Sequence, residues 1–201
     1  MFYGGGMGRM GGNGPIKYGS NNRHIQEMIV RQAQSAGVDP RVMLALIAIE
    51  TGGTFNPYSR NPSGAAGLGQ IMPENWKAMG LNAQTVFDPV KNIQATIKMT
   101  KSNIAYFRKQ VGRLPSAEEL YLLHQQGAGG ATALLKHSGS RAVDALKTLT
   151  VYGSGRRSAL EAVRQNLPTA QRSRAGSISA GEFAGFWLNQ ARSKLRKYGF
   201  Y

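Results

Sequence analysis

The chain of 201 residues contains no cysteine, which excludes a disulfide framework, thiol catalysis and any cysteine-ligated zinc or iron–sulfur centre. Carboxylates are scarce: 10 Asp and Glu stand against 25 Lys and Arg, for a formal net charge of +15. Each carboxylate that sits among apolar residues therefore stands out. Long apolar runs are also missing, since the longest, 42–49, has eight residues and is far too short to span a bilayer. The opening MFYGGGMGRMGGNGP has no apolar stretch like that of a secretory signal, so delivery outside a cytoplasm is expected to depend on something else. His24, His124 and His137 have no helical pairing and no acidic neighbours at ligand spacing, which predicts no metal site; no cofactor is expected either. What is present is 41% hydrophobic residues, enough to bury the core of one domain of ordinary size.

Eight of the first twenty residues are glycine, so 1–20 reads as a flexible arm. Its Phe2, Tyr3, Met7 and Met10 suit docking onto another protein; a plain disordered tail is the other reading. From residue 21 the pattern turns helical. Ile25, Met28, Ile29 and Ala33 share one face of a helix over 24–36, closed by Gly37. Asp39-Pro40 is an N-cap followed by proline at the first helical position, and 41–51 is apolar nearly all round, which predicts a helix buried in a core. Gly52-Gly53 ends it, and 55–70, rich in Asn, Pro, Ser and Gly, reads as a long structured loop or small irregular sheet. Helices follow over 74–79, from Asp88-Pro89 to about 110, and over 116–126, where Ser116 and Glu119 make a capping box. Glycines 127, 129 and 130 interrupt before the helix resumes over 131–136. Beyond 138 the composition shifts to eleven Lys or Arg against three acids, with helices over 141–149, 156–166 and 180–197. The expected division is an arm over 1–20, a catalytic-type domain over 21–138 and a basic helical extension over 139–201.

Glu50 ends the most apolar segment, LALIAIE. Desolvation disfavours its charged form, and so does the negative end of the helix dipole. Both effects raise its pKa, as suits a carboxylic acid that keeps its proton near neutral pH and donates it. The alternative is an ordinary helix-end glutamate turned to solvent.

Glu50-Thr51 is followed by FNPYSRNPSGAAGLGQIMP over 55–73. This resembles the soluble lytic transglycosylase family, in which a helix ending in Glu-Ser precedes an Asn-Pro loop, then Gly-Leu-Met-Gln and often Met-Pro. VDPRVMLALIAIE before the glutamate, FDPVKNIQATIKM over 87–99 and LLHQQGAGG over 122–130 add to the likeness, which covers about 24–136 in order and spacing. The implied fold is mainly α: a lysozyme-like helical domain of goose-type or lytic transglycosylase kind with a small irregular, β-like loop region. By resemblance the catalytic acid/base falls on Glu50, with Thr51 beside it where the family has serine. Gly67, Leu68, Gly69 and Gln70 fall on the loop that shapes the substrate groove, Gln70 as the sugar contact. Turn chemistry is the plainer reading of the glycines, and both readings can hold together.

The departures from the family are specific. Asn61 stands at the loop serine that partners the acid, and it too can donate a hydrogen bond. His124-Gln125 replaces Tyr-Asn, placing at the groove an imidazole whose charge changes near neutral pH. Gly69 replaces methionine, which removes one wall of the groove. The resemblance implies cleavage of the β-1,4 bond between N-acetylmuramic acid and N-acetylglucosamine in peptidoglycan, with a 1,6-anhydro product. One carboxylate is enough for that chemistry, whereas a conventional glycosidase uses two. Glu50 is the only acid between Asp39 and Glu74. Glu74, Asp88 and Glu118 stay open as a second carboxylate, or as helix caps and first-turn charges.

Trp187, Phe183, Phe186 and Leu195 give the last helix an apolar face, and Arg192, Lys194, Arg196 and Lys197 give it charge. It either packs against the rest of the protein or another subunit, or contacts membrane, anionic cell wall or nucleic acid. A cell-wall enzyme with a glycine arm and a basic tail resembles those carried in bacteriophage virions, which implies peptidoglycan glycan strands as substrate and other virion or tail proteins as partners. The competing expectation is a structural virion or tail-assembly protein that keeps the fold with little activity.

Overall fold

Helix starts in this chain are written in side-chain oxygens. In a computed structural model, which describes residues 15–200, Asp39 accepts a hydrogen bond from the Arg41 N–H at 2.9 Å and opens helix α2 (Pro40–Glu50) with proline in its first turn. It follows α1 (Arg23–Ser35), which ends where Gly37 adopts φ 70° and Val38 N–H reaches back to the Ala33 carbonyl at 2.9 Å. Val42 through Ile49 are all buried, as a helix apolar on every side requires. α1 and α2 pack together, and Ile29, Met43, Leu44 and Ile47 meet Phe55, Leu68 and Ile93 in one core cluster.

After α2 come α3 (Pro73–Met79) and α4 (Pro89–Val111). α4 starts where the Asp88 carboxylate accepts from Lys91 N–H at 3.0 Å. The expected small irregular sheet is present as two isolated antiparallel bridges, Arg60 to Ala66 and Ala66 to Ile71. Then follow α5 (Ala117–Lys136), α6 (Ala142–Lys147), α7 (Thr150–Gly153), α8 (Ala159–Gln165), a 3-10 helix (Thr169–Arg174) and α9 (Ala180–Lys197). The Ser116–Glu119 capping box forms, and Arg113 clasps the same carboxylate with two 2.7 Å hydrogen bonds. α5 is two helical stretches joined across a kink at Gly127, whose φ of 72° and ψ of 153° are not helical, where the glycines predicted an interruption. α6 packs against α5, α7 and α8, and α8 against the 3-10 helix. The fold is mainly helical.

Among the described residues, one compact unit runs to Ser102 and takes up the chain again from Ser193, and a second comprises Asn103–Arg192. The boundaries fall inside α4 and α9, not at the change of composition near 138, because that change tracks charge, not packing. Residues 1–14 of the expected arm lie outside the described residues. The arm's remaining residues are held: Ile16 and Tyr18 pack on the first core, and the buried Gln26 amide donates to the Gly19 and Asn21 carbonyls at 3.1 and 2.7 Å. α9 buries Phe183 and Leu195, so its apolar face serves packing. No helix among the described residues is long and apolar enough to cross a membrane.

Candidate active site

Glu50 is the last residue of α2, half-buried where the eight residues before it are fully buried. The chain behind it is turned by Thr51. At 7% exposure its hydroxyl donates to the Ile47 carbonyl at 2.8 Å and accepts from Phe55 N–H at 3.0 Å. Thr51 therefore holds the turn and does not offer its hydroxyl outward. Gly53 closes the turn with an N–H bond to the Ala48 carbonyl at 2.7 Å. Its φ of 81° favours glycine, and an added Cβ would stand 2.7 Å from Cε1 of Tyr198, so the C-terminal segment lies directly on this turn. The Asn21 and Asn22 side chains donate to the Gly53 and Thr54 carbonyls at 3.3 and 3.0 Å. The end of the Glu50 helix is thus clamped from both ends of its unit.

The loop beyond it carries two non-glycine residues at positive φ, Phe55 at 51° and Gln70 at 46°, and both are buried. Gln70 braces the loop from within: its amide donates to the Ser59 carbonyl at 3.0 Å and the Gly67 carbonyl at 2.8 Å. Both amide protons are engaged this way, so the side chain's donors serve the loop itself. Asn61 is exposed, and its Oδ1 accepts from the Ser63 N–H at 2.9 Å and from the Ser63 hydroxyl. That makes Asn61 the pivot of a tight turn. Leu68 is fully buried in the core cluster with Ile47 and Phe55, so it anchors the loop and contributes no surface to a groove.

Two residues of α4 that sequence reasoning passed over mould the Gly67–Gln70 stretch. Asn92, 0% exposed, accepts from Gly69 N–H at 2.8 Å and donates to the Val86 carbonyl at 2.8 Å. An added Cβ at Gly67 would lie 2.1 Å from the Asn92 amide nitrogen, and one at Gly69 would lie 2.0 Å from the Thr96 hydroxyl. The direction at Gly69 corrects the expectation that its missing side chain removes a wall of the groove: a side chain there would run into α4. The available signal was Asn92, Thr96 and Thr100, three buried polar residues spaced by four on one face of an amphipathic helix.

The other carboxylates hold local tasks. Asp88 caps α4, Glu74 lies in the first turn of α3, and Glu118 pairs with Arg192 at 3.3 Å. His124 and Gln125 are half-buried on α5, in the second compact unit, whereas Glu50, Thr51, Asn61, Gly67, Leu68 and Gln70 share the first. Gln125 donates to the Asn166 side-chain carbonyl at 3.0 Å and accepts from Gln126, and Asn166 in turn donates to the Ala162 carbonyl at 2.8 Å, so this amide is positioned by α8. No group of three or more His, Asp or Glu able to hold a metal ion occurs among the described residues.

A family model described as the Transglycosylase SLT domain matches residues 27–172. An endo-type membrane-bound lytic murein transglycosylase A from Klebsiella pneumoniae subsp. pneumoniae is 30% identical over 138 residues, 63% of this chain and 66% of that protein. Its counterpart from Klebsiella pneumoniae strain 342 is 31% identical over 135 residues, 62% of this chain and 64% of that protein. The matched stretch thus spans just under two thirds of these relatives' own length.

Proposed function

This chain belongs to the Transglycosylase SLT domain family, and from that premise we propose that it is a peptidoglycan lytic transglycosylase with Glu50 as its one acid and base. The observation that carries the reading is Glu50 itself: the only carboxylate between Asp39 and Glu74, half-buried at the end of a buried helix and followed by a turn that the Thr51, Asn21 and Asn22 side chains hold. Protonated Glu50 gives its proton to the glycosidic oxygen as the N-acetylglucosamine leaves. The acetamido oxygen of the muramic acid stabilises the cation-like centre at C1, in the substrate-assisted manner that needs no enzyme nucleophile. Glu50, now a carboxylate, takes the proton of the C6 hydroxyl, whose oxygen closes onto C1. No water is consumed, and the acid is regenerated.

By resemblance the sugar contact falls on Gln70, and His124 and Gln125 stand where the family has Tyr and Asn. The reading extends to setting: an enzyme carried in a phage particle, whose glycine-rich first residues and basic C-terminal region dock to neighbouring particle proteins. The net charge of +15 suits a journey across anionic cell-wall polymer.

Mass spectrometry of muropeptides released from purified peptidoglycan by the protein and by Glu50→Gln tests the chemistry. Anhydro-muramyl ends from the parent alone are expected. Reducing ends would replace the anhydro scheme with hydrolysis, and release from neither would leave a structural protein that retains the fold. Detection of the chain in gradient-purified particles tests the setting; its absence there would remove it.

A further inference from the structure

We propose that Tyr58, stacked on Phe87 and flanked by Arg60, is a sugar-stacking subsite that grips the glycan strand away from the bond being cut. The proposal rests on the peptidoglycan reading above and adds to it a residue to which neither the family match nor the resemblance gives a role.

Tyr58 is the most exposed large hydrophobic residue among those described, at 72%. Single exposed aromatics are common and need no explanation; this one is set apart by how it is held. Its N–H donates to Asn56 Oδ1 at 3.0 Å, and the next N–H, of Ser59, donates to the Asn56 carbonyl at 3.1 Å, so the ring projects from a closed turn. The ring stacks on Phe87 with centroids 6.0 Å apart and planes 28° from parallel. Phe87 is itself half-buried against the Ala66, Ile71 and Val86 cluster, which ties the stack to the core. The Arg60 guanidinium lies over the same Phe87 ring, 4.8 Å from its centroid, and the Arg60 backbone is bridged to Ala66. Arg60 has no carboxylate within ion-pairing distance among the described residues.

The result is a preorganised, solvent-open aromatic face rimmed by two donors, the Tyr58 hydroxyl and the Arg60 guanidinium. That is the chemistry a pyranose asks for. Its axial C–H face lies on an aromatic ring, while its rim of hydroxyl and acetamido oxygens accepts hydrogen bonds. A tyrosine offers this area at low entropic cost, because the turn and Phe87 have already fixed its position. An N-acetylmuramyl residue adds the carboxylates of its stem peptide, for which the guanidinium is the natural counter-ion. The platform springs from the same 55–70 loop that follows Glu50, so gripping the strand here also steadies the loop that shapes the groove.

The test is co-sedimentation with insoluble peptidoglycan sacculi, using Glu50→Gln protein as the parent so that the strands are not consumed. Tyr58→Ala on that background is expected to raise the apparent Kd about five- to tenfold. Tyr58→Phe, which keeps the ring, should stay within about twofold of the parent. Both should melt within about 2 °C of the parent, because an exposed ring contributes little to the fold. Unchanged binding by Tyr58→Ala would overturn the subsite and leave the enzyme reading standing. An equal loss in Tyr58→Phe would also overturn it, since the hydroxyl and not the stacking face would then be responsible. Failure of the parent itself to sediment with sacculi would bring down the peptidoglycan reading, and the subsite with it.

Discussion

Gly69→Ala should be far more disruptive than a glycine-to-alanine change usually is, and Thr96→Ala should undo most of the damage. Residue 69 has an ordinary negative φ, so alanine brings no backbone penalty, and the whole effect must come from space. The added Cβ would meet the Thr96 hydroxyl at 2.0 Å, Cγ2 at 3.0 Å and Cβ at 3.1 Å. The hydroxyl is tied to the Asn92 carbonyl at 2.8 Å, and rotating Thr96 merely exchanges it for the methyl, so the loop must retreat by about 1 Å. Overpacking of this kind costs about 1–3 kcal/mol. Retreat also stretches the 2.8 Å bond from Gly69 N–H to Asn92, worth about 0.5–1.5 kcal/mol. The sum of about 2–4 kcal/mol corresponds to a Tm lower by roughly 5–15 °C for a chain of this size. Thr96→Ala removes the two nearest atoms and improves helix propensity, so the single variant should lie within about 1 kcal/mol of the parent. A double-mutant cycle from urea unfolding should give a coupling of at least about 1.5 kcal/mol. A Gly69→Ala variant that melts within about 2 °C of the parent, or single effects that simply add, would refute the reasoning.

The remaining predictions concern the scaffold around Glu50 and one distant cap. Asn92→Ala strands a buried N–H and a buried carbonyl, so urea unfolding should show a loss of about 2–4 kcal/mol, and released muropeptides should fall with it. Thr51→Ser keeps both hydroxyl bonds and should be close to neutral, whereas Thr51→Val leaves Phe55 N–H unpaired and should cost about 1–3 kcal/mol in the same assay. Burial raises the Glu119 carboxyl, but the Arg113 hydrogen bonds, the Ser116 N–H and the Arg113 charge outweigh it and hold its pKa below the ordinary value. A depressed carboxyl stabilises the fold above the unfolded pKa of about 4.3 and stops doing so as pH falls through the lower folded value. The stability difference between the parent and Glu119→Gln should therefore be constant above about pH 5 and shrink below about pH 4; a difference unchanged down to pH 2.5 would contradict it.

Helices could be read from the sequence wherever a local signal sets them. Asp39-Pro40, Asp88-Pro89 and Ser116 with Glu119 each announce a start in side-chain chemistry, and residues 180–197 form the predicted helix to the residue. The helix expected over 156–166 is shorter, Ala159–Gln165, because Ser158 supplies the cap, accepting from Glu161 N–H at 3.2 Å. Roles within the loop were less legible, because they depend on which way a backbone faces. Thr51, Leu68 and Gln70 are polar or apolar in the right places for a groove, yet the structure turns all three inward, and only the fold reveals that. The division of the chain into compact units was not legible either. α4 and α9 each belong to two packing environments, and nothing in composition marks a boundary in the middle of a helix.

Backbone strain at Phe55 and Gln70 gives the loop its most telling physical signature. Left-handed φ at a non-glycine residue costs of order 1 kcal/mol and persists only where the surroundings leave no alternative. Both positions meet that condition by different means. Phe55 is held by the Thr51 hydroxyl on its N–H and by burial of its ring against Ile47 and Leu68, so its strain is coupled to the end of the Glu50 helix. Gln70 is held by its own amide on Ser59 and Gly67, while the preceding residues press against Asn92 and Thr96 on α4. The two strained residues thus bracket the segment, one fastened to α2 and the other to α4. A loop that served only to connect two helices could relax either one by a small rearrangement. Retaining both fits the acid/base role proposed for Glu50, since a proton donor must keep one line to its acceptor and misplacement by 1 Å costs on the order of a hundredfold in rate. The pairing of Gly69 with Thr96 follows from the same requirement: with the backbone seated this closely on α4, the side chain absent from position 69 is the condition for the threonine opposite it.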